Sequence, residues 1–136
     1  MASIQQFKAS SLQKMNAAKT LLDRASFPLE AAYLSSVALE CCLKVRIMKK
    51  NQIKETNRIP QGHQLFDLFN TAKGHNFEVL LQYSGETKAQ TRIWSRITHS
   101  DRPYSLRYSE EKLNHTQSQE EFGFVKQLVA KMESEQ

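Results

Sequence analysis

LEAAYLSSVALECCLKVRIM, running from Leu29 to Met48, is the most apolar segment of the chain and decides its fold. Ala31, Ala32, Ser35, Ser36 and Ala38 carry small side chains that let neighbouring helices approach closely. The segment therefore reads as a central helix. Ser26 stands where an N-cap is expected, and Pro28 falls in the first turn, where its missing N–H costs nothing. The helix is expected to run to about Lys50.

Outward from this segment, the pattern stays helical. From about Ser3 to Ala25, apolar or small residues recur at Ile4, Phe7, Ser11, Met15, Ala18, Leu22 and Ala25, a three-and-four spacing that predicts one buried stripe. After Lys50, NQIKETNRIPQG (residues 51–62) loses the periodicity and contains a Pro and a Gly, so it reads as a surface connection. A long connection in a small domain is often functional. A third helix is expected from His63 to Lys73 with Gly74 as its C′ residue. Phe77, Leu80 and Leu81 open a fourth, bent or interrupted at Gly85 before TKAQTRIWSRIT. SDRPYSLRYSEEKLNH (residues 100–115) reads as irregular. The last helix is expected to open at Thr116 or Ser118, where Ser118 and Glu121 have capping-box spacing, and to bury Phe122, Val125, Leu128, Val129 and Met132.

Composition agrees with a single all-α domain over residues 1–136. Gly and Pro number only four and three, too few to turn the many short strands of a sandwich or barrel. Hydrophobic residues make up 40% of the chain, too rich for disorder. No run approaches the ~18 apolar residues of a membrane span, and MASIQQFKASS lacks the apolar core of a secretory signal, so the expected location is the cytoplasm, with no membrane partner. Cys41 and Cys42 are neighbours, about 100° apart on a helix, and read as small core residues rather than a disulfide. His63, His75, His99 and His115 are scattered, and no Cys and His grouping has ligand spacing, so neither a metal site nor a cofactor is expected.

The net charge of +5 suits an acidic partner. Its distribution matters more than its size: Lys44, Arg46, Lys49, Lys50, Lys54 and Arg58 form one group, and Lys88, Arg92, Arg96, Arg102 and Arg107 another. Glu40 lies within the apolar run with Lys44 one turn later. The pair reads either as an i,i+4 contact at the helix edge or, with Arg46, as the border of a polar groove.

NAAKTLLDRA, a break, AAYLSSVALECCLKVRI, and then His63-Gln64-Leu65 together resemble the HEPN domain family (higher eukaryotes and prokaryotes nucleotide-binding) over about residues 7 to 133. Glu40 and Lys44 match the family's Glu-x-x-x-Lys element, and His63-Gln64-Leu65 stands where many members carry His-Asp-Leu. The resemblance implies an up-and-down bundle of four to five helices, often a homodimer. In catalytic members it implies metal-independent endoribonuclease activity through an Arg-x4–6-His motif late in the chain, where a His takes the 2′-hydroxyl proton and an Arg stabilises the phosphorane.

Two registers compete for that motif. Arg92 to His99 has the right spacing, with Arg92 or Arg96 as phosphate stabiliser and His99 as base, but Ile93 replaces the polar residue that usually follows the Arg. The alternative register uses Arg107-Tyr108, similar to the Arg-Tyr of non-catalytic members. Arg102, Tyr104, Arg107 and Tyr108 then make a cationic and aromatic patch able to hold a phosphate and stack a base. Arg58-x4-His63 has the spacing too, but lies before helix three and reads as a chance match. The leading expectation is a non-catalytic or weakly catalytic module binding RNA, a nucleotide or a partner protein such as a nucleotidyltransferase. A toxin or phage-defence ribonuclease and a structural dimerisation module are the alternatives.

Overall fold

The computed structural model describes residues 3–24, 27–85, 97 and 113–134. Over these residues the chain is all-α: α1 (Ile4–Arg24), α2 (Pro28–Lys50), α3 (Phe66–Asn70), α4 (Phe77–Ser84) and α5 (His115–Ser134), with short 3-10 turns at Thr56–Arg58 and Ala72–His75. Extended pairing among the described residues is confined to an isolated bridge between Ser3 and Glu55.

α2 packs against α1, α4 and α5. Its small residues are the reason three helices can reach it: Ala31, Ala32, Ser35, Ser36 and Ala38 are all fully buried, as the sequence predicts. The serine hydroxyls at these close approaches bond to backbone carbonyls. Ser11 Oγ of α1 donates to Ala38 O at 3.0 Å, and Ser118 Oγ of α5 donates to Pro28 O at 2.9 Å. Leu39, Leu43 and Ile47 are sealed from solvent and join Leu65, Leu80, Ile97 and Val125 in the main core. Each such side chain contributes about 1.5–3 kcal/mol through burial. Cys41 and Cys42 are buried and not joined in a disulfide, Cys42 Sγ lying 4.0 Å from Met132 Sδ.

The helix ends differ from expectation in four places. α2 is preceded by Phe27 as N-cap, with no side-chain cap, rather than by Ser26, which lies outside the described residues. The third helix is one turn long instead of spanning His63–Lys73. Thr71 is extended at φ −137° and ψ 175°, and its hydroxyl bonds the Asp67 carbonyl, competing with helical bonding. Gly74 is not a left-handed C′ residue: it lies in the following 3-10 turn, where an added Cβ would overlap the Leu68 carbonyl oxygen. Gly85 is the left-handed residue, with φ 81°, and α4 ends there, in line with the interruption expected at that position.

α5 opens at His115, ahead of the expected position. Asn114 N donates to Gln117 Oε1 at 3.0 Å and Gln117 N to Asn114 Oδ1 at 2.8 Å, a reciprocal capping box one turn before Ser118 and Glu121, which are buried inside the helix. Of its expected core face, Val125 and Met132 are buried while Phe122, Leu128 and Val129 are partly buried. No helix among the described residues is long and apolar enough to cross a membrane.

Candidate functional site

Midway along α2, helical spacing puts Lys44 one turn after Glu40. Lys44 Nζ lies 3.1 Å from Glu40 Oε2, with the two side chains only 9% and 8% exposed. The i,i+4 contact expected from the sequence is therefore present, but inside the fold and not at an open helix edge. A third group joins it. The close approach at Gly74 folds the chain between α3 and α4 against α2, and the next residue, His75, sets Nδ1 3.1 Å from Glu40 Oε1 and 3.2 Å from Oε2. Asn76 then caps α4, its Oδ1 accepting from Glu78 N at 2.9 Å and Val79 N at 3.3 Å.

Both oxygens of Glu40 are thereby engaged. A buried carboxylate is tolerated when paired and hydrogen-bonded in this way. Lys44 Nζ also lies 5.8 Å from the Phe7 ring centroid, close enough for a cation–π contact, and Phe7 packs on Phe69 at 6.3 Å. The cluster ties α1, α2 and the α3–α4 connection together. His75 remains half exposed, so the arrangement is closed on the carboxylate side and open on the imidazole side. Arg46 does not share this face: it lies two residues beyond Lys44, about 200° around the helix, and is half-buried. His75, 35 residues from Glu40, has no spacing relation that reveals it in the sequence.

The second feature is cationic. Lys49 and Lys50 are exposed in the last turn of α2, where positive charge also complements the helix dipole. Lys8 of α1 lies beside Lys49. Desolvation and then the neighbouring Lys8 push Lys49 below the ordinary lysine range. Lys54 and Arg58 follow, exposed, on the next connection. Arg58 Nε lies 3.4 Å from Glu55 Oε2 in a solvent-exposed pair.

Arg92, Arg96 and His99, and likewise Arg102, Tyr104, Arg107 and Tyr108, lie outside the described residues. Among the described residues no three His, Cys, Asp or Glu side chains converge as metal ligands. No protein-family model, no curated protein and no solved structure matches this chain.

Proposed function

We propose that the chain is a HEPN-like module, an up-and-down helical bundle that binds RNA or a nucleotide, alone or beside a partner such as a nucleotidyltransferase, with little or no catalysis of its own. The observation that carries this reading is the run of exposed cations Lys49, Lys50, Lys54 and Arg58 in the last turn of α2 and on the connection that follows, with Lys8 of α1 beside Lys49. Clustered basic side chains raise the local concentration of anions. The state of Glu40 supports the non-catalytic part of the reading, because a carboxylate already bonded to Lys44 and His75 is committed to holding helices together. In the sequence, Arg102, Tyr104, Arg107 and Tyr108 add the residue types that phosphate binding and base stacking need.

A homodimer belongs to the same proposal. The small residues of α2 do not provide its interface, since they are buried within one copy. Light scattering on the purified chain tests the dimer. Titration with single-stranded RNA and with nucleoside triphosphates at two salt concentrations tests the binding, using wild type, Lys49→Glu/Lys50→Glu and Arg107→Ala. Affinity is expected to fall as salt rises, because phosphate contacts release counterions, and to fall in both variants. Absence of binding by the wild type at low salt would overturn the reading.

A further inference from the structure

The connection between α2 and α3 folds into a built pocket. α2 ends in a Schellman arrangement, with Ile53 N donating to Met48 O at 2.8 Å and Gln52 N to Lys49 O at 3.3 Å. Gln52 takes the left-handed conformation, φ 58°, that such an ending usually gives to glycine. Buried Thr56 and Ile59 then pin the loop, and further turns follow from Arg58 N to Glu55 O and from His63 N to Pro60 O. The result is a cavity of about 250 Å³. Ile53, Ile59 and Pro60 form its apolar wall, and Lys54, Arg58 and His63 line it with polar groups. Arg58 and His63, whose spacing in the sequence reads as chance, are thus brought to one cavity.

We propose that this pocket binds the terminal phosphate of a nucleotide, either a free nucleotide or the phosphorylated end of an RNA strand. The inference rests on the nucleotide-binding reading above and assigns it a site. The state of His63 argues for binding over chemistry. Leu65 N–H donates to His63 Nδ1 at 3.0 Å, so Nδ1 is bare and the ring proton sits on Nε2. That nitrogen donates; it cannot accept a proton from a substrate hydroxyl while the bond to Leu65 stands.

An Arg fork, a Lys ammonium and a neutral N–H are three donors suited to the three free oxygens of a phosphomonoester. A carboxylate has only two. Lys54 and Arg58 set against Glu55 leave one positive charge in excess, two minus one. The Arg58–Glu55 contact, Nε to Oε2 at 3.4 Å, is exposed to solvent, and exposed pairs of this kind are weak enough for a phosphate to displace. The volume lies below the roughly 300–1,000 Å³ of sites that enclose a whole small molecule, so the pocket takes one end of its ligand, with the adjoining sugar against Ile53 and Pro60.

The test is calorimetric titration at low salt with three probes: adenosine 5′-monophosphate, a short RNA with a 5′-phosphate, and the same RNA with a 5′-hydroxyl. His63→Asn keeps an acceptor for Leu65 N–H and removes the distal donor. Arg58→Ala removes the fork at an exposed position, and Lys126→Ala on α5 makes the same charge change elsewhere. At least one phosphorylated probe is expected to bind, and the nucleotide and RNA arms say which source is preferred. His63→Asn and Arg58→Ala are expected to weaken that binding about tenfold or more, as loss of a charge-assisted hydrogen bond does, with Lys126→Ala near wild type. Equal binding of the 5′-hydroxyl RNA, or wild-type affinity in both pocket variants, would overturn the pocket while leaving the broader binding reading intact. No binding of any probe by the wild type would overturn both.

Discussion

Substituting Glu40 separates a buried ion cluster from an incidental surface pair. With the Glu40 and Lys44 side chains 8% and 9% exposed, Glu40→Leu leaves an ammonium in the interior without its carboxylate, beside the Phe7 ring. Removing one partner of such a pair typically costs about 3–5 kcal/mol, a large share of the roughly 5–15 kcal/mol that holds a domain together. For a chain of this length that lowers the melting temperature by roughly 10–20 °C. Lys44→Met should cost less, because His75 remains beside the carboxylate. The double variant Glu40→Leu/Lys44→Met should recover most of the loss, since apolar side chains replace both charges and water can satisfy the half-exposed His75. Urea denaturation followed by far-ultraviolet circular dichroism measures all four proteins. A cost below about 1 kcal/mol for Glu40→Leu, or additive losses in the double variant, would mean that the pair behaves as solvent-exposed ion pairs do and would refute the argument from burial.

Three further outcomes follow from single residues. Gly74→Ala should destabilise the protein by about 1–3 kcal/mol and displace His75 from Glu40, read as a shift of the His75 ring resonances, because the new methyl group overlaps the Leu68 carbonyl. Gln52→Gly should stabilise it by about 1 kcal/mol in the same denaturation assay, since the left-handed φ at Gln52 costs a residue bearing a Cβ what glycine avoids. Lys49, depressed by desolvation and by Lys8, binds its proton less tightly in the folded than in the unfolded chain. Its contribution to stability therefore rises with pH between its folded and ordinary values. Lys8→Gln should move the Lys49 titration, followed by NMR, part of the way back to the ordinary lysine range and flatten that rise.

Apolar periodicity and small side chains act locally and leave a readable spacing, so the helical class, the position of α1 and α2 and the burial of the small residues on α2 are legible in the order of the amino acids. It also showed that Glu40 and Lys44 meet, since i,i+4 neighbours on a helix are fixed by the helix itself. Helix ends were harder to read. Ser118 and Glu121 have capping-box spacing, yet Asn114 and Gln117 form the box, and the tertiary contact of Ser118 with Pro28 takes up the hydroxyl that would have capped. A glycine in a turn looked like a helix terminator at Gly74, where packing against Leu68 is what requires it, and the left-handed residue ending α2 proved to be Gln52. That His75 completes the Glu40 cluster and that Arg58 and His63 line one cavity emerges from the folded arrangement alone. Such encounters depend on how the chain turns back on itself between helices, and that path is set by packing across the core, which no local spacing encodes.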